Sequence, residues 1–434
     1  MDSVKGKRLL VLGGTYASLD VVKTAKAMGA YVIVTDEAPL SERVAKAAAD
    51  AHRTVSTTDM DGLMKIVRDD RIDGVFCGPS EFNIRNMIRL CALAGLPCYA
   101  TEQQWDRCSD KLSFKAACLR AGVPTARKYP RSDFENDGAD SSVAYPVIVK
   151  PADGCSSKGV TVCYDRSQVL SAFAEAERCS AKNSAFAEQY LDNGGRIFGA
   201  RYVLNHGQSY PYLSFDTYVV DPRDKKHLIS ALSVFPSSLT PVYAGKADGD
   251  MRRLLSELEL SDGVAFFQTV PLDGSFYCMD MGYRLSGGMF CKITEPLLGI
   301  NDMKMMIRYA LGGEICTDEE KRLLCENALR SEGVQPFAQL TVPLNAGTVA
   351  SVNGLEEALA HPCVTDFLQY YRVGDTVSED VIGTLGQHFG RFTLTGESKA
   401  ELLSAVNEIQ SHLSIKDTLG REMFTLRFDT SRVL

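Results

Sequence analysis

The sequence predicts an α/β fold of several parts: an N-terminal Rossmann-like domain, a central region of paired strands and helices, and a small C-terminal α+β domain. Two observations support this prediction. Short apolar strands alternate with amphipathic helices from Lys7 to Ala94, which is typical of βαβ units with a parallel sheet. Pairs of strands joined by glycine-containing turns follow from Tyr145 onward. The length of 434 residues also exceeds one ordinary domain of about 100–200 residues.

The N-terminal βαβ pattern has part of the fingerprint of a dinucleotide-binding fold. Residues 7–12 predict a buried strand, Gly13 and Gly14 a turn, and a helix then leads to a second strand that ends at Asp36. The spacing of three glycines that lets the backbone approach a pyrophosphate is missing, because the turn reads Gly-Gly-Thr-Tyr-Ala-Ser. The sequence therefore disfavours bound NAD, and an oxidoreductase is the least favoured interpretation.

The stretch from Tyr145 to Gly159 has the composition of a phosphate-binding hairpin. Residues 147–150 predict a buried strand that ends in lysine and proline, and residues 160–164 predict the return strand. The loop between them offers hydroxyl groups, backbone N–H groups and a mobile cation, which are groups that bind phosphate oxygens. A Walker A loop would instead lead into a helix. We expect a lid over a triphosphate, and an ordinary polar hairpin is the alternative.

Four segments resemble, in their order and spacing, the motifs of the ATP-grasp superfamily: Asp110–Lys111 with the following Gly122, the lid loop, Phe186–Leu191 and Tyr277–Arg284. This superfamily includes biotin carboxylase, D-alanine–D-alanine ligase, carbamoyl-phosphate synthase, phosphoribosylamine–glycine ligase and the L-amino acid ligases. The resemblance covers nearly the whole chain. It implies a pre-ATP-grasp domain at residues 1–106, an ATP-grasp domain at 107–330 with its lid at about 111–184, and a C-terminal α+β domain at 331–434.

The resemblance also implies an ATP site. Lys111 and Lys150 match the two lysines that contact the nucleotide phosphates, and the lid loop covers the β- and γ-phosphates with four residues: Ser156, Ser157, Lys158 and Gly159. Glu188, Gln189, Tyr190 and Leu191 match the hinge that reads adenine, with backbone groups of Gln189 and Leu191 at the adenine edge. From the pattern alone, an ordinary sheet strand is equally compatible with this hinge segment. Residues 196–201 hold no acid for the ribose, so Asp192 is the substitute candidate.

The predicted magnesium site departs from the family pattern. An Asp-Gly turn at 273–274 predicts a hairpin that brings Gln268 close to Asp280. The family places a glutamate at position 268, an acid at 280 and an asparagine at 282, whereas this chain has glutamine, aspartate and glycine. We therefore expect a single Mg²⁺ ion bound by Asp280, with Gln268 as a possible second ligand, since phosphates and waters complete the magnesium octahedron.

Arg284 is the candidate catalytic residue, together with Lys150. In the family an acyl phosphate forms, and its oxygens gain charge during the reaction. Arg284 and the backbone amides of 286–288 would stabilise that charge as a bidentate fork beside an anion-binding turn, although a surface arginine is the alternative. Ser80 and Glu81 follow a predicted strand end and are expected to form one wall of the substrate cleft, because ligands in parallel sheets lie at the carboxyl ends of strands.

Composition limits the partners. The formal net charge is −8, which argues against a nucleic-acid partner. The 13 cysteines include no Cys-x-x-Cys pair, and the six histidines show no metal-ligand spacing. The first residues do not match a signal peptide, and no apolar run approaches the ~18 residues of a membrane span. These patterns favour a cytoplasmic protein with free thiols, small-molecule partners and no membrane contact. A homodimer is a further expectation.

The sequence therefore predicts an enzyme that uses ATP and Mg²⁺. The first interpretation is an ATP-dependent carboxylate–amine ligase that acts through an acyl phosphate on an amino acid or another small carboxylate. The second is an ATP-grasp protein that binds nucleotide for regulation without ligase turnover, and it is favoured by the altered metal pocket.

Overall fold

A computed structural model describes residues 4–135, 143–153, 158–223 and 228–433. In these ranges the chain forms mixed helices and strands around four sheets of four, eight, three and four strands. The predicted α/β class is confirmed.

The N-terminal unit is a parallel sheet flanked by helices, as predicted. Its elements are β1 (Arg8–Leu12), α1 (Tyr16–Ala27), β2 (Tyr31–Thr35), α2 (Val44–Ala48), β3 (Ala51–Arg53), α3 (Met60–Asp69), β4 (Gly74–Phe76) and α4 (Glu81–Ala94). The strand order is β3-β2-β1-β4, and all pairs are parallel. The carboxyl end of β4 therefore leads directly to Ser80 and Glu81 at the start of α4.

Side chains of the N-terminal unit fill the turn where a dinucleotide would lie. Asp36 accepts hydrogen bonds from the backbone N–H of Gly14 at 2.9 Å and from Arg43 Nε at 2.9 Å. A Cβ atom on Gly14 would lie 2.8 Å from Arg43 Cβ. The Asp36 carboxylate, which would have to bind the ribose of NAD, is thus already bonded within the protein. This agrees with the prediction against an NAD site.

The polar composition of residues 101–110 predicts a connection between domains, but the segment is a helix. It forms α5 (Glu102–Ser109), which begins with a capping box between Thr101 and Gln104. Only Trp105 and Cys108 of this helix are buried. The six polar residues of this helix leave no apolar periodicity in the sequence. The capping box is therefore the feature of the sequence that indicates a helix here.

The lid is a four-stranded antiparallel sheet with helices on it. Its elements are α6 (Lys111–Arg120), β5 (Lys128–Tyr129), α7 (Ser132–Glu135), β6 (Val147–Pro151), β7 (Thr161–Cys163), α8 (Arg166–Arg178) and β8 (Ala185–Gln189). The order is β5-β8-β6-β7, and β6 and β7 form the predicted antiparallel hairpin. One face packs Val147, Val149 and Ala187 against Phe173 of α8. The opposite face carries Lys150 and Glu188.

An eight-stranded sheet forms the body of the molecule, in the order β13-β12-β9-β10-β11-β14-β18-β16. The elements up to residue 330 are β9 (Arg196–Asn205), β10 (Gln208–Val219), β11 (Ser230–Phe235), α9 (Thr240–Lys246), α10 (Asp248–Glu257), β12 (Gly263–Leu272), β13 (Ser275–Gly282), α11 (Cys291–Leu298), α12 (Asp302–Ala310) and α13 (Asp318–Glu326). Those after it are β14 (Phe337–Pro343), β15 (Gly347–Asn353), α14 (Leu355–Leu359), β16 (Val364–Gln369), β17 (Thr376–Val377), β18 (His388–Thr395), α15 (Lys399–His412) and β19 (Ser414–Asp417).

The sheet continues across the expected boundary near residue 330, because β11 pairs with β14. The C-terminal strands thus extend the sheet that carries the candidate site, and the division at residue 330 stays a prediction. The sequence pattern predicts strands at 338–342, 348–352 and 364–369 and a helix at 399–413, and the structure confirms all four. The strand β18 was not predicted from the sequence.

The described cysteines and helices bear on the expectations of free thiols and of no membrane span. All twelve described cysteines are free thiols. In the parts of the chain that the structure describes, no helix is both long enough and apolar enough to cross a bilayer.

A buried ion pair links two neighbouring strands of the large sheet. Arg196 on β9 donates from Nε and Nη2 to the two carboxylate oxygens of Asp216 on β10, at 3.0 and 2.8 Å, and also bonds Ser238. The exposed fractions of the two side chains are 10% and 3%. Removing one partner of such a pair leaves an uncompensated buried charge.

We expect Asp216→Asn to lower the free energy of unfolding by about 3–5 kcal/mol. Chemical denaturation followed by circular dichroism measures this loss. The control is Asp106→Asn, which removes the exposed ion pair to Arg85, and it is expected to leave the transition unchanged because exposed pairs contribute little. Equal effects of both substitutions would contradict the assignment of Asp216 as a buried structural partner.

Candidate active site

A buried glutamate lies between two lysines on one face of the lid sheet. The β6–β8 register pairs Ile148 with Glu188 and Lys150 with Phe186. These four side chains therefore share a face. Glu188 forms ion pairs with Lys150 through Oε1 and with Lys115 through Oε2, the latter at 2.6 Å. The exposed fraction of the Glu188 side chain is 2%.

Burial and charge act in opposite directions on this cluster. Burial disfavours the ionised form of Glu188, but Lys150 and Lys115 outweigh it and hold the pKa of the carboxyl below its ordinary value. Burial lowers the pKa of Lys150, and Glu188 opposes that shift. The nearby Lys111 also lowers the pKa of Lys150, so the cluster holds an excess of positive charge. The excess positive charge suits phosphate oxygens.

Lys111 reaches this cluster because α6 begins beside the end of β6. The backbone N–H of Lys111 donates to the Ala152 carbonyl at 3.1 Å, and Asp110 caps the helix through the N–H of Ser113. Lys115 lies one helical turn after Lys111 on the same face. Sequence analysis missed Lys115, although its i+4 spacing from Lys111 was the available signal. It also missed the role of the Glu188 side chain.

The lid loop is described only in part. Ser156 and Ser157 lie outside the described residues. Gly159 has φ +71°, and a Cβ atom there would lie 2.7 Å from Cys179 Cβ, so the turn requires glycine. Lys158 is exposed beside it.

The hinge segment uses part of its backbone within the protein. The N–H of Gln189 donates to the Arg127 carbonyl at 2.8 Å, and the N–H of Tyr190 donates to the Pro146 carbonyl at 3.0 Å. Because its N–H is used, Gln189 would contact adenine through its backbone carbonyl oxygen. Leu191 follows directly after this segment, and Asp192 accepts a hydrogen bond from the N–H of Gly194 at 3.3 Å.

Gln268 and Asp280 lie directly opposite each other, as predicted. They are register partners in the β12–β13 hairpin, whose turn residues Asp273 and Gly274 have φ +49° and +72°. Gln268 is exposed and Asp280 is half-buried. Burial raises the pKa of the Asp280 carboxyl, Lys111 and Lys150 oppose this rise, and the nearby Glu81 adds to it.

A phenyl ring explains the glycine at position 282. Phe266 is the register partner of Gly282, and a Cβ atom on Gly282 would lie 2.2 Å from Phe266 Cζ. The ring excludes any side chain where the family pattern has asparagine. Among residues 4–135, 143–153, 158–223 and 228–433, no group of three or more His, Cys, Asp or Glu residues could hold a metal ion.

The residues present fit one Mg²⁺ ion that is shared with phosphates. Asp280 would supply the anionic ligand and Gln268 a neutral oxygen, while a bound ion would neutralise phosphate charge. The position that would complete a second ion site is filled by Phe266.

Arg284 connects the site to the N-terminal unit. Its Nη2 donates to Glu81 Oε2 at 2.9 Å, its Nη1 donates to the Leu285 carbonyl at 3.0 Å, and its guanidinium lies 5.2 Å from the centre of the Phe266 ring. The structure thus brings Glu81 and Arg284 together.

The turn after Arg284 is held by the C-terminal strands. Gln339 on β14 donates to the Gly288 carbonyl at 2.9 Å, and Arg391 on β18 donates to the Gly287 carbonyl at 3.0 Å. The N–H of Gly288 donates to Ser286 Oγ at 3.1 Å, so the amides of the turn are less open to an anion than expected. No local sequence pattern marks Gln339 or Arg391, because both act across more than 50 residues.

Comparison with known proteins gives one family match within the lid and hinge. Residues 110–197 match the family "Carbamoyl-phosphate synthase L chain, ATP binding domain". This range includes Lys111, Lys150 and Glu188.

Curated relatives are similar over part of their length. A formate-dependent phosphoribosylglycinamide formyltransferase of Sulfolobus acidocaldarius is 26% identical over 260 residues, covering 58% of this chain and 64% of that protein. A biotin carboxylase of Pseudomonas aeruginosa is 26% identical over 231 residues, covering 51% and 49%. The chain thus spans about half to two thirds of the length of these relatives.

Solved structures share the fold over nearly the whole chain. An L-amino acid ligase from Bacillus licheniformis has a TM-score of 0.77 at 18% identity, covering 95% of this chain and 99% of that one. The biotin carboxylase domain of a Hydrogenobacter thermophilus 2-oxoglutarate carboxylase, solved with MgADP, has a TM-score of 0.72 at 15% identity, covering 96% and 91%. The family match and the shared fold both support the resemblance of this chain to the ATP-grasp superfamily.

Proposed function

We propose that this protein is an ATP-dependent carboxylate–amine ligase that acts through an acyl phosphate on an amino acid or another small carboxylate. The observation that carries the proposal is the convergence of two charged groups of residues around Asp280. On the lid side, Lys111 and Lys150 lower the pKa of the Asp280 carboxyl. On the N-terminal side, Glu81, which pairs with Arg284, raises it.

The arrangement suits the two halves of a ligase reaction. Lys111 and Lys150 would bind the phosphates, and Lys150 would follow the charge as the γ-phosphoryl group moves to the carboxylate. Arg284 would hold the carboxylate and then the acyl oxygen. Glu188 would keep Lys150 oriented, while Lys115 balances the second oxygen of Glu188.

The proposal also covers the location, the substrate class and the oligomeric state of the enzyme. Free thiols and a net charge of −8 support a cytoplasmic enzyme with small-molecule substrates. A homodimer is proposed by likeness to the 2-oxoglutarate carboxylase domain, which is described as a dimer. Light scattering of the purified protein tests this part.

A binding-only protein is the second candidate. The exposed Gln268 and the phenyl ring over Gly282 favour it, because they leave Asp280 as the single anionic ligand. A screen of phosphate release from ATP, with amino acids and other small carboxylates supplied in pairs with amines, separates the candidates. Release that needs both co-substrates supports the ligase, whereas ATP binding without release in any pair supports the binding-only protein.

We expect Lys150→Ala to raise the dissociation constant of ATP roughly tenfold to a hundredfold, because a charge-assisted phosphate contact contributes about 1.5–3 kcal/mol. Isothermal titration calorimetry measures it. The control is Lys65→Ala, which removes an exposed lysine of α3 paired with Asp69 and is expected to leave ATP affinity unchanged. An unchanged affinity in Lys150→Ala would remove this lysine from the nucleotide site.

We expect turnover to depend on a single weak Mg²⁺ site, and Asp280→Asn to raise the Mg²⁺ concentration for half-maximal rate roughly tenfold or more. Rates at fixed ATP and varied free Mg²⁺ measure this. Asp273→Asn, in the exposed turn of the same hairpin, is the control with no expected change. A clear two-ion dependence in the wild type would contradict the single site.

A further inference from the structure

We propose that Glu81 is the binding site for the amine substrate, which it receives in the ammonium form beside Arg284. This inference rests on the proposed ligase function and deepens it by assigning the second substrate to a residue of the N-terminal unit.

Glu81 has one carboxylate oxygen in use and one open. Oε2 accepts the hydrogen bond from Arg284, whereas Oε1 has no partner among the described residues. The side chain is 36% exposed, so it is accessible to solvent. It stands in the first turn of α4, just after the carboxyl end of β4, where ligands of parallel sheets bind.

The order of charges sorts the two substrates. Arg284 follows directly after β13, the strand that carries Asp280, and its ion pair with Glu81 places an acid of the N-terminal unit beside it. A substrate carboxylate is attracted to Arg284 and repelled by Glu81, whereas an ammonium group is attracted to Glu81 and repelled by Arg284. The two reacting groups would thus occupy adjacent positions, with the acyl phosphate on the side of Lys111 and Lys150.

This position suits the second half of the reaction. The amine nitrogen forms a bond to the acyl carbon, and the bond from that carbon to the phosphate oxygen breaks, with its electron pair leaving on the phosphate. Of the two protons that the ammonium group loses, one leaves on the phosphate and one passes to solvent. Glu81 concentrates and orients the nitrogen, which is a proximity effect.

Hydroxylamine separates acyl-phosphate formation from amine binding, because it is uncharged at neutral pH and captures acyl phosphates as hydroxamates. The probe is a mixture of the twenty protein L-amino acids with ATP and Mg²⁺. Hydroxamate is measured with hydroxylamine added, and peptide or amide products are measured by mass spectrometry without it. A parallel reaction with ammonium chloride distinguishes free ammonia from an organic amine as the nucleophile.

The variants are Glu81→Gln and, as a matched control, Glu102→Gln, which removes an exposed acid of α5 that pairs with Arg89. We expect Glu81→Gln to lower amide formation at limiting amine at least tenfold while hydroxamate formation stays within about threefold of wild type. Glu102→Gln is expected to behave as wild type in both assays.

Three outcomes would overturn the proposal. Unchanged amide formation in Glu81→Gln would remove the residue from the amine site. Equal loss of hydroxamate and amide would make Glu81 a structural partner of Arg284. If the wild type forms no hydroxamate from any amino acid, the proposed ligase function on amino acids fails, and this inference fails with it.

Discussion

The buried carboxylate of Glu188 organises the candidate nucleotide site. It holds Lys150 of the central lid strand and Lys115 of α6 at once, so the helix that begins at Lys111 and the strand that ends at Lys150 are fixed to one another. Without Glu188, the buried ammonium groups would repel each other in a region of low dielectric, and their charged forms would be disfavoured. The positive charge that would bind phosphates therefore depends on one buried negative charge.

The other side of the site is set by packing. Phe266 lies over Gly282 and beside Arg284, so one aromatic ring both removes a candidate metal ligand and supports a candidate anion-binding group. The buried Arg201 contacts the same ring at 5.5 Å. If Lys111, Lys150 and Arg284 bind the phosphates as proposed, their charge would reduce the need for a second cation, and the lost ligand would be compatible with turnover.

Local motifs predicted the fold and the positions of several candidate site residues in it, but contacts across the chain were not predictable. Lys111, Lys150, Asp280 and Arg284 each sit at a strand or helix end marked by a proline, a cap or a glycine turn, and such ends are readable from sequence. The capped polar helix α5 was missed because it has little apolar periodicity. Gln339 and Arg391 reach the turn after Arg284 from strands far along the chain, and a pairing at that separation leaves no local pattern.

The transfer of oxygen from substrate to phosphate tests the central claim most directly. L-Amino acids labelled with ¹⁸O in the carboxyl group are turned over with unlabelled ATP, and the released phosphate is analysed by mass spectrometry. An acyl-phosphate ligase leaves one labelled oxygen in each phosphate, because the carboxylate oxygen that attacks the γ-phosphoryl group departs with it. Unlabelled phosphate would mean that water cleaves ATP and would contradict the account.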